Sequence, residues 1–431
     1  MERPLTGSMR PDGLPLSIKD YEDKGGYQAA RKAVTGMSPK EVQDLAKDAN
    51  LRGRGGAGFN TGMKWSFVPM GDSAPRPKYF VVNADEMEPG TFKDRMLMEG
   101  NPHQLIEGTI IAAYAIEADI SYIFLRGEYK ICEKRLAAAI AEAYSRHYLG
   151  KKIFGSGYNL EMRLHTSAGR YICGEETALL NSLEGKRAIP RARPPFPQVS
   201  GLWGKPTVVN NVETLCNVPH IINNGAEWYK GLSRSQYGGT KIYGVSGRVK
   251  TPGLWELPMG TTIREIIWEH ARGMREGYQF RSVIPGGAST EFLTEEHLDV
   301  QMDFDSMQKA GSRLGTGTMI VIDDHTCPVG AVHNLEQFFA RESCGWCTPC
   351  REGLPWIANI LHAIENGQGR PEDLEILAQH TDSLWLNKTF CALAPGAMEP
   401  LRSALQIFRE DFIRHIKEGK CTYGKNGNNL H

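Results

Sequence analysis

Three thiols spaced two residues apart, in Glu342-Ser343-Cys344-Gly345-Trp346-Cys347-Thr348-Pro349-Cys350-Arg351-Glu352-Gly353, restrict the fold more than any other stretch of the chain. On a Gly- and Pro-containing turn that runs into a helical pattern they can converge on one metal centre. They match the first three positions of the bacterial iron–sulfur run. The fourth position fails, because Leu354 stands where the next thiol belongs. A distant segment must therefore fold back to supply it, and Cys391, in Lys388-Thr389-Phe390-Cys391-Ala392-Leu393-Ala394-Pro395-Gly396, is the best placed. Structural zinc is the competing reading, although zinc sites usually present two separated ligand pairs, often with His.

Nine cysteines, an odd number in a chain of 431 residues whose start lacks a signal peptide's apolar core, predict a reducing compartment rather than a disulfide framework. Fifty basic residues balance fifty acidic ones, so no net field draws the chain to nucleic acid or to an anionic membrane surface. The longest apolar run, 110–116, is far below the roughly 20 residues of a membrane span, and a soluble intracellular protein without direct membrane insertion is expected.

Alternating strand and helix patterns predict an α/β domain with a largely parallel sheet over 31–239, behind an N-terminal arm over 1–30 that reads as extended or solvated. Strands are expected at 78–82, 121–125 and 160–165, with an amphipathic helix over 103–117. Residues 240–327 read as a small α+β, β-grasp-like domain containing a helix over 261–270. Residues 328–431 read as a four-helix bundle whose helix ends carry the cluster thiols.

Ser38-Pro39-Lys40-Glu41 has the form of a capping box with Pro at the first helical position, so a helix should run to about Asn50. The glycines at Gly53, Gly55, Gly56 and Gly58 follow that helix rather than a strand, which excludes the usual dinucleotide fingerprint. What remains is an anion nest: backbone N–H groups free to turn toward a phosphate, with Lys64 adding charge. At the end of the 78–82 strand, Asn83, Asp85, Glu86 and Glu88 crowd the position where open α/β sheets bind ligands, and suit ribityl or ribose hydroxyls. Glu175 and Glu176 open a helix after Tyr171 and Gly174, where the helix dipole alone would favour them by about 0.3–1 kcal/mol each. Phe196 lies on a stiff Pro-rich strip, and Asn210, Asn211 and Thr214 offer amides and a hydroxyl at another helix start. Together with a cluster, these features suggest a flavin that accepts two electrons and releases them singly.

The blocks GRGGAGFNTGMKW (53–65), NADEMEPGTFKDR (83–95), YICGEETALLNSLEG (171–185), ESCGWCTPCREG (342–353) and TFCALAPGA (389–397) resemble the NADH-binding, flavin-carrying 51 kDa (F-type) chains of respiratory NADH:quinone oxidoreductase, complex I. The resemblance implies FMN, NADH as substrate, and one [4Fe–4S] cluster on Cys344, Cys347, Cys350 and Cys391. By the same resemblance Gly53, Arg54, Gly55, Lys64, Asn83, Asp85, Tyr171, Gly174, Glu175, Asn210, Asn211 and Thr214 hold FMN, and Gly56, Gly58 and Glu86 count among the cofactor-binding residues. Phe59, Phe67, Glu88, Glu176 and Phe196 face NADH. It further implies a thioredoxin-like [2Fe–2S] subunit and a large iron–sulfur subunit as partners, on the cytoplasmic side of a bacterial inner membrane. Similar modules serve soluble NAD-linked hydrogenases and formate dehydrogenases. A zinc-stabilised nucleotide-binding regulator is the non-enzymatic rival.

Overall fold

The computed structural model describes residues 2–423. They form two compact units, the first from residues up to 87 with 92–242 and 256–260, the second from 88–91, 243–255 and 261 onward.

In the first unit β1 (Tyr79–Ala84), β2 (Ile120–Leu125), β3 (Glu161–Thr166) and β4 (Thr207–Asn211) make an all-parallel sheet in the order β3-β2-β1-β4. Val81 of β1 lies opposite Tyr122 of β2 and Val209 of β4. Tyr79 to Val82 are all buried because both faces of the sheet are covered, which is why the strand reads as an unbroken apolar run. One face is filled by Tyr79, Val81, Phe124, Leu179, Leu180 and Val209. The β4 strand was not expected, since five residues ending in two asparagines carry no clear strand period. Pairing with β1 makes it a strand, and the anticipated helix, Val212–Asn224, starts directly after it with Asn211 as N-cap.

The helix expected to be amphipathic, Pro102–Ala115, is instead buried on nearly every side. Helices Gln28–Gly36, Pro39–Asp48 and Val212–Asn224 pack around it together with the sheet, so no solvent face remains. Cutting one of its buried Leu or Ile side chains to Ala would cost about 2–5 kcal/mol. Its buried Glu107 is satisfied by the Tyr21 hydroxyl (2.5 Å) and Ala30 N (3.0 Å). The same contact corrects the reading of the N-terminal arm, which is docked rather than solvated. Leu5 is fully buried, the Leu5 and Thr6 amides donate to Glu256 (3.0 and 2.8 Å), and Ile18–Asp23 is a helix capped by Ser17. A few apolar anchors decide this where bulk composition misleads. The Ser38–Glu41 capping box forms as expected at the start of Pro39–Asp48.

A second, mixed sheet of β5 (Thr240–Gly247), β6 (Gly253–Pro258), β7 (Phe280–Ile284) and β8 (Thr318–Asp323) has the order β6-β5-β8-β7, with β8 parallel to β5 and antiparallel to β7. The helix expected over 261–270 forms, with π-helical rather than α-helical geometry over Glu265–His270. Helices Pro328–Glu342, Thr348–Glu365, Pro371–Ser383, Leu393–Ile407 and Arg409–Glu418 follow. The last of the four expected helices is split at Phe408, whose buried ring leaves the helical path and packs edge-on against Phe292 at 5.3 Å.

Candidate functional site

Chain order reverses between β1 and β4, and at such a switch point the C-terminal strand ends open a crevice for ligands. The glycine loop lies there. A Cβ on Gly55 would stand 3.1 Å from Asn211 Cβ, and Arg54 N donates to Thr214 Oγ1 at 2.8 Å. Gly56 (φ +119°) and Gly58 (φ +67°) occupy backbone conformations that side chains disfavour. The helix that follows, Thr61–Ser66, is capped by Asn60 and seated by Gly62, where a Cβ would collide with Lys47 N.

Arg54 is buried. Its Nη2 donates to the Tyr229 hydroxyl (3.1 Å), Gly238 O (2.8 Å) and Thr240 O (3.2 Å), while its Nε and Nη1 have no hydrogen-bond partner among the described residues. Two buried guanidinium donors left over beside a Cβ-free loop fit an anionic ligand such as a flavin phosphate.

Lys64 reaches across the crevice, donating to Glu176 Oε2 at 2.6 Å and to Val209 O at 2.8 Å, so its charge is answered within the protein. Glu175 caps the helix Glu176–Leu183 through Thr177 N and Ala178 N, and Arg193 binds it at 2.5 Å and Glu176 at 3.2 Å. Arg193, which sequence reasoning did not single out, thus belongs to this site. Its place on the Pro-rich strip next to Phe196 was the available signal. Asn83 donates to Gly174 O at 3.1 Å at the end of the turn that begins at Tyr171, and among the described residues no atom beyond the two flanking residues comes within 4 Å of a Cβ built on Gly174. That opening suits the close approach of a planar ring. Asp85 accepts from Ser167 at 3.1 Å, and Asn210 accepts from the Trp65 indole at 2.8 Å. Phe59, Phe67 and Phe196 are about half exposed (48, 53 and 53%), with the first two rings 6.2 Å apart.

Glu86 points inward. It accepts from Asp94 N (2.8 Å), Arg95 N (3.1 Å) and the Tyr129 hydroxyl (3.0 Å), and burial, followed by the charge of Asp94, pushes it up to about 7. Its carboxylate fixes the start of the Lys93–Gly100 helix. Glu88 belongs to the second unit, where it accepts from Ser289 N at 2.6 Å.

At the β4 end lies a buried charge network, of which the sequence blocks held only Lys93 and Asp94. Lys93 pairs with Asp94 (2.9 Å) and Glu213 (2.7 Å), Lys241 with Glu213 (3.3 Å), and Asn211 donates to Asp94 at 2.6 Å. Burial opposes the charge of Glu213, but Lys241, Lys93 and Arg54 outweigh it and hold the carboxyl down to about 2. Burial brings Lys241 down to about 7 against the pull of Glu213.

In the second unit Gly345 (φ +74°) makes the tight turn between Cys344 and Cys347, and Cys347 is the N-cap of Thr348–Glu365. Cys350 lies in that helix's first turn, with its Sγ 3.1 Å from Ser343 Oγ. Burial pushes the Cys350 thiol up to about 12, and Cys347, Cys391 and Cys344 act on it in the same direction. Cys391 therefore lies within electrostatic reach of the triplet, just before the helix Leu393–Ile407. Four thiols make a soft donor set that fits an iron–sulfur cluster. Beside them Trp346 and Phe390 are exposed, with their rings 6.4 Å apart.

Residues 46–220 match a family described as the Nuo51 FMN-binding domain, 330–415 the NADH-ubiquinone oxidoreductase-F iron-sulfur binding region, and 242–292 the SLBB domain. The chain is 59% identical over 415 residues to the F subunit of NADH-quinone oxidoreductase from Escherichia coli (strain K12), covering 96% of this chain and 93% of that protein. The same protein of Salmonella typhimurium is equally similar, and that of Mycobacterium bovis is 50% identical over 416 residues, with the same coverage of both chains. Among solved structures, a chain of an NAD+-reducing [NiFe]-hydrogenase in the air-oxidized state superposes with a TM-score of 0.82 at 36% identity, over 94% of this chain and 67% of that one.

Proposed function

The chain belongs to the family of NADH-quinone oxidoreductase F subunits, and from that premise we propose how its own residues serve NADH oxidation. When bound, FMN would supply a hydride acceptor for NADH, and a [4Fe–4S] cluster would supply a one-electron exit. Gly53, Gly55, Gly56 and Gly58 present backbone amides to the flavin phosphate, with the spare donors of Arg54 beneath them. Asn83, Asp85, Tyr171, Gly174, Asn210, Asn211 and Thr214 complete the flavin cradle, while Lys64, Glu86 and Glu175 hold its walls in position. Phe59, Phe67 and Phe196 offer rings for NADH to stack on. Cys344, Cys347, Cys350 and Cys391 hold the cluster. The observation that supports this most is the convergence of the glycine loop with the β1 and β4 ends at the switch point. The test is the spectrum, metal content and NADH–ferricyanide activity of the purified chain. A flavin envelope with a broad iron–sulfur shoulder and about four irons per chain is expected. A colourless protein with zinc on the four thiols would overturn the reading.

Glu176 stands between Lys64 and Arg193, and its charge disfavours a ligand carrying a 2′-phosphate. Glu176→Gln removes the carboxylate and leaves both cations. NADPH oxidation relative to NADH is expected to rise about tenfold, equivalent to about 1.4 kcal/mol. An unchanged ratio of kcat/KM values would count against the role.

We further propose that the cluster delivers electrons to the thioredoxin-like [2Fe–2S] subunit and the large iron–sulfur subunit, in a peripheral assembly on the cytoplasmic side of a bacterial inner membrane. Among the described residues no helix is long and apolar enough to cross a membrane. The exposed Trp346 and Phe390 beside the thiols support a docking role, because such aromatics anchor interfaces. Trp346→Asp should leave NADH–ferricyanide activity intact while weakening binding of the partner subunits in a pull-down. Undiminished binding would remove Trp346 from the interface.

A further inference from the structure

We propose that the chain carries a second metal centre, a mononuclear structural zinc site formed by Cys327, Glu365, His415 and Cys421. None of these residues belongs to the cluster set, and their ligand atoms all lie within 4.8 Å of one another. Cys327 Sγ is 3.3 Å from Glu365 Oε2 and 3.3 Å from His415 Nε2, and His415 Nε2 is 3.4 Å from Glu365 Oε2. Donors around a tetrahedral zinc ion, with Zn–S of about 2.3 Å and Zn–N or Zn–O of about 2.0–2.1 Å, stand about 3.3–3.8 Å apart. Cys327, Glu365 and His415 stand at the spacing of donors around one ion, and the Cys421 thiol lies within 4.8 Å of each of them.

Four separate backbone elements converge to make the site. Cys327 is the N-cap of Pro328–Glu342, Glu365 ends Thr348–Glu365, His415 lies in Arg409–Glu418, and Cys421 follows that helix. Gly367, just past Glu365, packs on Gly419, between His415 and Cys421, so closely that a Cβ on Gly367 would collide with Gly419 O. Cys327 and His415 are wholly buried and Glu365 nearly so, while Cys421 is partly exposed and gives an ion a way in. The imidazole is already oriented as a ligand: Nδ1 donates to Asp411 O at 2.7 Å, which turns Nε2 toward the other three groups.

Two thiolates, one imidazole and one carboxylate suit zinc by softness and geometry, and four protein ligands leave no open position, as in structural sites. Binding displaces the thiol protons, and any proton on Nε2, to solvent. It ties three helix ends to the C-terminal segment. Cys327 and Cys421, the only thiols outside the cluster set in the C-terminal hundred or so residues, thereby acquire a role.

The test uses the full chain with flavin and cluster in place, incubated with Zn2+ and freed of excess by gel filtration. About one zinc per chain is expected in addition to the cluster iron, with two sulfur ligands by zinc K-edge absorption. Cys327→Ser and His415→Ala should each lose the zinc while iron and FMN stay unchanged. Cys421→Ser, at a partly exposed position, gives the same readout should the buried variants not fold. Cys391→Ala should lose iron and keep zinc. Zinc below about 0.1 per chain, zinc retained in all three site variants, or a Cys327–Cys421 disulfide by mass spectrometry would overturn the proposal.

Discussion

In the Cys391→Ala variant the iron–sulfur signal is expected to vanish from both the absorbance spectrum and the low-temperature EPR of the NADH-reduced protein, while FMN stays bound. The thiol stands just before the helix Leu393–Ile407 and acts on Cys350 together with Cys344 and Cys347. Without it one iron loses its protein ligand, and the remaining thiols outside the set cannot replace it. Cys327 and Cys421 are held against Glu365 and His415, and Cys132, Cys173 and Cys216 lie in the first unit. The residues proposed to hold flavin are in the first unit too, so NADH–ferricyanide activity should persist while electron delivery to the partners drops to background. An intact cluster signal in this variant would remove Cys391 from the ligand set.

Glu213→Gln should produce the largest loss of stability. Glu213 is wholly buried and answers both Lys93 and Lys241. Removing its charge leaves two buried ammonium groups with Asp94 as the carboxylate still paired to Lys93, and breaking a buried pair costs about 3–5 kcal/mol. A fall of that size in the urea-unfolding free energy, at unchanged slope, is expected. Adding Lys241→Met should recover part of it, because the second charge is then absent as well. A loss below about 1 kcal/mol would refute the network's weight.

The pH dependence has a definite sign. Glu213 is held down to about 2, below its unfolded value, so its stabilisation is complete above the ordinary carboxylate range and is lost as pH falls toward 2. Lys241 is brought down to about 7, so between that value and the ordinary lysine range the folded state binds fewer protons than the unfolded one. Its contribution therefore makes stability rise with pH across that window.

Much of the site was legible in the chain because its chemistry is local. Thiol spacing announces a shared metal centre, and glycines after a capped helix announce a backbone approach to an anion. Glu175 and Glu176 declare a helix start, and the structure confirms that position for both. The misread elements were those whose character comes from neighbours. Pro102–Ala115 has an ordinary mix of polar and apolar residues, yet helices on several sides leave it no solvent face. The N-terminal arm is rich in Gly, Pro and charge, yet Leu5, Tyr21 and Tyr27 bury it.

Residue type and spacing by themselves determined what kinds of donor the chain offers: thiols suited to a cluster, glycines suited to a phosphate, aromatics suited to a planar ring. Local sequence encodes such groups because each needs only its own chemistry and a few residues of turn or helix around it. Tertiary structure alone decided how charges were answered. Lys64 is paired with Glu176, Glu86 is turned inward to fix a helix, and Glu213 sits between two lysines far from it in the chain. It alone also brought Cys327, Glu365, His415 and Cys421 together across 95 positions of sequence. Coulombic and desolvation energies depend on distance and burial, and neither exists until the chain has folded.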